Sequence, residues 1–329
     1  MSPDSSPGDV TEKIQEQPGH LMLPLFQRPR PMTLALAALI ALLFLFGLSL
    51  GGSELPPVAV RMGALVPRFV ADGEFYRLLS GTLLHANWLH LFVNLFALLM
   101  LGSFLERGMG SARFLVLYVA SGLGGSLASY ALLEPGHFSL GASGAIWGLL
   151  GATALLAFRP SGILPEALLP SAKRAAVINL ALNLAVSFQA NIDTFGHFGG
   201  GATGALLLGS GLLTRSIPPA ASEAPHAPPS SRWMKGSAGA ALLLLCGAPA
   251  IAIWQGAALD LRFGEPFATT HIPELGISLD LPENRRKTVQ QTEKGHEVLF
   301  GDLLRDPFVV SVYAFPLPAL DAEGLANES

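Results

Sequence analysis

The chain has little cysteine and little charge for its length. Among 329 residues there is one cysteine, Cys246, which excludes a disulfide within the chain and a metal site built from cysteines. Charged residues make up 13% of the sequence, whereas soluble domains average about 25%. The net charge of −4 comes without a basic stripe suited to nucleic acid. These shortages exclude a disulfide-stabilised domain and argue against a nucleic-acid partner.

Apolar residues take the place of the missing charge, forming 50% of the sequence and giving a mean hydropathy of +0.47. A helix that spans a bilayer needs about 20 mostly apolar residues, and seven stretches come close to that length. The stretches are 32–50, 83–105, 114–133, 139–158, 175–188, 195–213 and 236–259. Many of the 36 glycines lie inside them, as expected where membrane helices approach closely. The sequence therefore predicts an all-α, polytopic membrane protein with six helices followed by a seventh.

Lysine and arginine are distributed unevenly among the connections between these stretches. Eleven of them fall in one alternate set of connections, and three fall in the other set before residue 259. Because connections rich in Lys and Arg stay in the cytoplasm, the first set is predicted to be cytoplasmic. The N-terminus is then inside and the segment after Leu259 is outside. Ser143, His85 and His197 are then expected near the external ends of their stretches.

Composition divides the chain into five predicted parts. Residues 1–31 are expected to form a disordered cytoplasmic tail, 32–215 a six-helix core, 216–234 a cytoplasmic linker rich in Pro, Ala and Ser, and 235–259 the seventh helix. Residues 260–329 are expected to form a small external domain. Alternating apolar and polar residues predict strands there, at 276–281, 297–300 and 308–315. The external domain is therefore expected to be rich in β-structure.

Polar side chains stand where a bilayer-spanning helix should have none, and such residues usually mark a site or a buried partner. Ser143 lies between Gly141 and Gly144 near the start of the fourth stretch. The start of a helix offers free backbone N–H groups and a positive dipole end, which suit a developing oxyanion. A serine in this position could equally be a helix cap or a small packing residue.

His197 lies near the start of the sixth stretch and shares a helix face with Gly200 and Gly204, because their spacing is i, i+3, i+7. The fourth stretch carries a comparable glycine groove. Its members are Gly144, Gly148 and Gly151. Two such faces could bring the serine hydroxyl to an imidazole that accepts its proton. The alternative is a histidine that bonds a backbone carbonyl.

His90 and Asn94 are i, i+4 neighbours in the second stretch, and His85 lies off their face. Two donors level with the serine could hold a carbonyl oxygen as it becomes negative. A metal site is not predicted, because the pattern is not H-E-x-x-H and no acidic residue accompanies the histidines. No cofactor is expected. In the fifth stretch, Asn179 and Asn183 are interpreted as making hydrogen bonds between helices.

In their order and spacing, these residues resemble the rhomboid intramembrane serine proteases over roughly residues 32–213. The resemblance is carried by Glu74-Phe75-Tyr76-Arg77, His85, His90, Asn94, Glu106, Gly110, Gly141-Ala142-Ser143-Gly144, His197, Gly200 and Gly204. It implies that Ser143 is a nucleophile and His197 its base. It also implies an oxyanion hole formed by His90, Asn94 and the Ser143 N–H, with His85 in support.

The resemblance further implies that Glu74 and Arg77 stabilise the first external loop. The other supporting positions are Trp147, Gly141, Gly144, Gly200, Gly204 and Glu106. Two positions depart from the family pattern. Tyr76 stands where the family usually has tryptophan, and Trp147 stands where members commonly stack a tyrosine on the catalytic histidine. An indole can stack as well but offers no hydroxyl, so the mechanism is expected to survive with an altered rate.

The implied activity is an endopeptidase that cuts single-pass transmembrane proteins near the external face of a lipid bilayer, through an acyl-enzyme. The membrane is expected to be a bacterial plasma membrane. The short fifth stretch is predicted to be a movable side gate, and residues 189–194 a cap over the site. Two alternatives stay open. One is a rhomboid-like protein that holds membrane clients without cutting them, and the other is a transporter or proton relay, which the lack of acidic residues deep in the stretches disfavours.

Overall fold

The computed structural model describes residues 27–134, 137–159, 169–189, 192–215, 217 and 227–254, and five strands between residues 267 and 314. The predicted tail up to residue 26, most of the predicted linker and much of the predicted external domain lie outside the described residues. Four described helices are long and apolar enough to cross a bilayer. They are Pro31–Ser49, Trp88–Met109, Ser111–Leu132 and Arg232–Trp254. The chain is a mostly helical, polytopic membrane protein.

The helices are numbered here in chain order. They are α1 Pro31–Ser49, α2 Pro56–Arg61, α3 Pro67–Ala71, α4 Arg77–Ser80, α5 Trp88–Ala97, α6 Ser103–Met109, α7 Ser111–Leu132, α8 Ser143–Phe158, α9 Leu169–Ser187, α10 Thr194–Gly209 and α11 Arg232–Trp254. A π-helical turn over Leu98–Gly102 joins α5 to α6, so that these two form one continuous rod. A 3₁₀ turn, Gly81–Leu83, follows α4.

Two helices begin later than their apolar stretches do. The fourth stretch was predicted from residue 139, but α8 begins at Ser143 because Ser139 exchanges two backbone hydrogen bonds with Leu65, at 2.9 and 2.8 Å. The second stretch was predicted from residue 83, but α5 begins at Trp88. The placement of His85 on that helix was therefore wrong, and His85 lies in the segment before it.

The connection between α1 and α5, predicted to be external, is folded. Pro56 and Pro67 begin α2 and α3, where the missing N–H of proline costs nothing. Apolar side chains of this connection form their own buried cluster. Its fully buried members are Val58, Ala59, Met62, Ala64 and Leu84. The connection is thus a packed cap on the bundle rather than a loose loop.

A buried carboxylate joins the starts of α1 and α7 to the end of α6. Glu106 accepts hydrogen bonds from Met32 N at 2.9 Å, from Thr33 N at 2.7 Å and from Ser111 Oγ at 2.6 Å. The first amides of a helix have no partner within the helix, so a carboxylate is well placed to receive them. Glu106, predicted as a supporting residue, therefore fixes one end of the bundle.

Glycine faces set the distance between α8 and α10. A Cβ added to Gly200 would overlap the carbonyl oxygen of Gly144, and one added to Gly204 would overlap that of Gly148. Helix α10 also packs on α7. Small residues at such contacts let membrane helices approach until their backbones touch.

Helix α11 packs on α7 and α4 and is held at its start by a buried arginine. Arg113 donates to the carbonyl of Pro228 at 2.9 Å and to that of Pro229 at 2.7 Å. The end of the predicted linker is therefore bonded to the bundle. Helix α11 runs over Arg232–Trp254, so it begins four residues before the predicted stretch of 236–259.

Beyond α11 the structure describes five strands, β1 Phe267–Ile272, β2 Ile277–Pro282, β3 Lys287–Thr292, β4 Gly295–Phe300 and β5 Val310–Ala314. Strands β1 and β2 form an antiparallel hairpin, and β3, β4 and β5 form an antiparallel sheet in that order. Strands β2, β4 and β5 fall within or across the three predicted segments, whereas β1 and β3 were not predicted. Thr269-Thr270 and Gln290-Gln291 interrupt the alternation that a strand prediction needs.

Replacing Gly204 by alanine tests the close contact. The added methyl meets the backbone of Gly148, so Gly204→Ala should lower the free energy of unfolding by about 1–3 kcal/mol. Thermal or denaturant unfolding in detergent measures the change. Gly239→Ala on α11 is the matched control, because nothing lies within 4 Å of its added Cβ, and its stability should be unchanged or slightly raised. Equal stability of the two variants would contradict the packing argument.

Candidate active site

Ser143 is the first residue of α8, and the segment before it is held in place. Gly141 donates to the carbonyl of Gly81 at 2.9 Å and has a φ of 130°, a left-handed conformation that favours glycine. Together with the Leu65–Ser139 pairing, this bond fixes where the chain turns into the helix. The hydroxyl therefore stands at a helix start, beside backbone N–H groups that have no partner within the helix.

His197 lies in the first turn of α10, and its imidazole is 7% exposed. Asp193 caps this helix by accepting from Gly196 N at 2.8 Å. Its other carboxylate oxygen accepts from Ser129 Oγ at 2.5 Å, which ties the start of α10 to α7. The position of the imidazole is thus set by a capped helix end rather than by a loop.

The Ser143 and His197 segments meet at glycines. A Cβ on Gly144 would lie 3.2 Å from the carbonyl oxygen of Gly196, so the residue after the serine touches the residue before the histidine. The imidazole stacks on Trp147, one turn after Ser143, with ring centroids 5.6 Å apart and planes inclined by 24°. Within the described residues, no hydrogen bond joins Ser143 Oγ to His197.

His90 lies on the other side of the serine. A Cβ on Gly141 would lie 2.8 Å from His90 Cε1 and Nε2 and 3.8 Å from Ser143 Oγ, which brings the His90 ring beside the serine segment. Asn87 caps α5 and accepts from His90 N at 2.9 Å. Asn94 is buried one turn further along, and its amide donates to His90 O at 2.8 Å. That bond uses one of the two amide hydrogens of Asn94 and leaves the other available.

His85 is fully buried next to His90, with ring centroids 4.9 Å apart. Neither of its ring nitrogens has a hydrogen-bond partner in the described part of the chain. A buried imidazole without a partner is costly unless water reaches it, so this position suits an ordered water next to the candidate site.

Glu74 and Arg77 stabilise the connection between α1 and α5. The Arg77 guanidinium is 2% exposed, contacts Glu74 Oε2 at 2.7 Å, and donates to the carbonyls of Val60 and Ala64 at 2.6 and 2.9 Å. Tyr76, which replaces the usual tryptophan, donates its hydroxyl to Glu74 Oε2 at 2.8 Å. These bonds hold the segment that pairs with Ser139 and so act on the candidate site at a distance.

Helix α9 contributes a contact that the sequence did not suggest. Ser187 Oγ lies 2.6 Å from Nδ1 of His197. The interpretation of Asn179 and Asn183 as bonding between helices was wrong, because both amides donate to carbonyls four residues earlier in α9, at 2.8 Å. A signal was available in the sequence, because four-residue spacing places Asn179, Asn183 and Ser187 on one face of α9. That polar face ends beside His197.

In the described residues, no three or more His, Cys, Asp or Glu side chains come together in a group that could hold a metal ion. The predicted cap, residues 189–194, includes two residues outside the described ones, 190 and 191. The site thus consists of a serine, three histidines and an asparagine, enclosed by helix starts and glycines.

Comparison with known proteins identifies the family. A family model of the Rhomboid domain matches residues 72–213. The chain is 37% identical over 187 residues to Rhomboid protease GluP of Bacillus subtilis (strain 168), covering 56% of this chain and 36% of that protein. It is 40% identical over 164 residues to RHOMBOID-like protein 5 of Arabidopsis thaliana, covering 48% and 51%. It is 33% identical over 139 residues to Putative rhomboid protease YdcA of Bacillus subtilis (strain 168), covering 42% and 68%.

The chain therefore spans about a third of GluP and half of RHOMBOID-like protein 5, but two thirds of YdcA. The matched region contains the connection between α1 and α5 from residue 72 onward and every helix from α4 to α10. Both comparisons lead to one assignment: this chain belongs to the rhomboid family.

Proposed function

We propose that the chain is an intramembrane serine endopeptidase in which Ser143 is the nucleophile and His197 the base. The observation that carries the proposal is the glycine contact between Gly144 and Gly196, which brings the starts of α8 and α10 together. The Ser143 hydroxyl and the His197 imidazole lie on these two starts, and the His90 ring lies beside the serine segment. Membership of a family whose named relatives include proteases supports the same conclusion.

The reaction follows from these groups. Ser143 Oγ attacks the substrate carbonyl carbon while His197 removes the hydroxyl proton. The C–N bond then breaks, and the amine leaves with that proton. An acyl-enzyme ester remains until a water molecule gives a proton to His197 and attacks the ester carbon. The ester C–O bond then breaks, His197 returns the proton to Ser143 Oγ, and the carboxylic acid product leaves. The Ser–His hydrogen bond forms when substrate is bound, since such bonds are often long in unliganded enzymes.

The negative oxygen of the intermediate needs donors at the start of α8. The Ser143 N–H, the His90 ring and the second amide hydrogen of Asn94 supply them in this proposal. Removing one donor of this kind typically slows an acyl-transfer enzyme by roughly 10²–10³-fold. His85, buried beside His90, keeps a water near the site and supports the position of that ring.

The substrate is a single-pass transmembrane protein with a weak helix near the external surface. A helix hides its carbonyls in internal hydrogen bonds, so the bond to be cut must lie where glycine or proline unwinds it. The distribution of Lys and Arg supports a cytoplasmic N-terminus, an external β-rich domain and a six-plus-one arrangement of helices. A bacterial plasma membrane completes the proposed setting.

Two substitutions test the assignment. Ser143→Ala and His197→Ala should each lower cleavage of a transmembrane model substrate in liposomes by roughly 10³-fold or more, because either change removes proton transfer from the nucleophile. Ser210→Ala, at the other end of α10, is the matched serine control and should cut normally. Cleavage by Ser143→Ala at the normal rate would refute the proposal.

A client-binding protein without protease activity would give a different result. It would capture the same substrate without cutting it, and its serine would not react with a fluorophosphonate probe. Probe labelling that depends on both Ser143 and His197 therefore separates the two functions.

The stack of Trp147 on His197 should support catalysis through the aromatic ring of residue 147, and a hydroxyl at that position should not be needed. Trp147→Tyr and Trp147→Phe keep an aromatic face and should cut nearly as fast as the parent. Trp147→Leu should lower kcat roughly three- to tenfold, the usual worth of an aromatic pair. Trp233→Ala, at an exposed tryptophan of α11, is the control. Equal kcat in the Leu and Phe variants would show that the stack does not orient the base.

Helix α9 is proposed to be the side gate. It packs mainly on α8 and exposes apolar side chains such as Leu182 and Val186, so only a small part of its surface is buried against the other helices. Cross-linking cysteines placed at these positions to cysteines at Phe92 or Phe96 of α5, in a Cys246→Ser background, should block cleavage of a transmembrane substrate. Cleavage of a short water-soluble peptide should continue and serves as the control. Unchanged cleavage of the transmembrane substrate would place its path elsewhere.

A further inference from the structure

Ser187 is fully buried at the last position of α9 and makes two side-chain hydrogen bonds. Its hydroxyl oxygen lies 2.6 Å from Nδ1 of His197 and 2.9 Å from the carbonyl oxygen of Asn183. A hydroxyl has one hydrogen to donate, and a carbonyl can only accept. The hydrogen of Ser187 therefore goes to Asn183, and the bond to the imidazole is satisfied when Nδ1 carries a hydrogen and donates it.

This arrangement determines the tautomer of the histidine. A neutral imidazole with its hydrogen on Nδ1 has an unprotonated Nε2, and only an unprotonated nitrogen can accept a serine proton. If Ser187 instead donated to Nδ1, the hydrogen of the ring would sit on Nε2. Nε2 would then be a donor and useless as a base. The Asn183 carbonyl thus selects the productive form through Ser187.

The backbone of Ser187 is held at the same place. Its carbonyl oxygen accepts from Thr194 Oγ1 at 2.6 Å, and Thr194 begins α10. The end of α9 and the start of α10 are therefore joined by two bonds, one from Thr194 and one from His197. Trp147 covers a face of the imidazole, and Ser187 holds its edge. The stack on Trp147 fixes the tilt of the imidazole, and the bond to Ser187 fixes its tautomer.

We propose that Ser187 is a positioning residue for the proposed base, the third member of a Ser143–His197–Ser187 triad in which the hydroxyl takes the place of the carboxylate found in other serine proteases. The inference deepens the proposed function and rests on it. Ser187 does not touch the substrate. It acts by keeping Nε2 of His197 unprotonated and pointed toward the space in front of Ser143.

The test compares Ser187→Thr with Ser187→Val, which have the same shape and differ in the hydroxyl. The Thr variant should keep the parent kcat. The Val variant should lower kcat roughly three- to tenfold with KM unchanged, because one buried hydrogen bond of ordinary worth is lost. Nitrogen-15 spectra of histidine-labelled protein should show His197 protonated on Nδ1 in the parent and Thr variant, and a mixture of tautomers in the Val variant. Asn179→Ala, at another amide bonded within α9, is the control and should match the parent in both measurements.

Two outcomes would overturn the inference. An equal loss of kcat in the Thr and Val variants would mean that the site senses shape and not the hydroxyl. A His197 tautomer that is the same in the Val variant and the parent would mean that Ser187 does not select it. The spectra can also be recorded on Ser143→Ala protein, which does not cut. Failure of the proposed proteolysis would therefore appear in the cleavage assay, separately from failure of Ser187 to select the tautomer.

Discussion

The backbone contact between α8 and α10 is the constraint on which the rest of the molecule depends. The carbonyls of Gly144 and Gly148 occupy the space where residues 200 and 204 would otherwise carry a Cβ. Serine has a short side chain, so an alcohol on one helix reaches an imidazole on the next only if the helices nearly touch. Lipid gives no hydrophobic driving force for helix association. The attraction between the helices has to come from close packing instead. The glycines therefore provide stability and proximity through the same contact.

Close packing of two helices fixes their separation but not the depth of the residues along them. That depth is set by the folded connection between α1 and α5. The Leu65–Ser139 pairing stops α8 from starting earlier, and Arg77 holds the connection through the carbonyls of Val60 and Ala64. A buried guanidinium is stable only when its donors are satisfied, so this connection resists rearrangement. At the other end of the bundle Glu106 serves the same purpose for α1 and α7.

Periodicity in the sequence could predict the membrane helices and the glycine faces, because both are local patterns repeated along one helix. The comparisons confirm the family resemblance, and that resemblance implied the proposed roles of the site residues, which periodicity could not. The start of α8 at Ser143 could not be predicted from local sequence, because it depends on the pairing of Ser139 with Leu65, which lies far away in the chain. His85 was placed on a helix for the same reason: its apolar neighbours carry the pattern, but the chain turns into α5 only where Asn87 caps it. Ser187 was missed because a lone serine near a helix end has many uses, and only the fold shows which nitrogen lies beside it.

The link between Ser187 and His197 joins two requirements that are usually considered apart. A protease inside a bilayer must admit a bulky helix from the side, and it must hold a base in one tautomer. If α9 is the gate and Ser187 the positioning residue, outward movement of α9 carries the hydroxyl away from Nδ1 and leaves the imidazole free to exchange tautomers. An open gate is then an inactive state, and closing behind the substrate restores the base. Outward movement of the last turn of α9 also has to break the Thr194 bond to the Ser187 carbonyl, so both bonds that join α9 to the start of α10 are lost together.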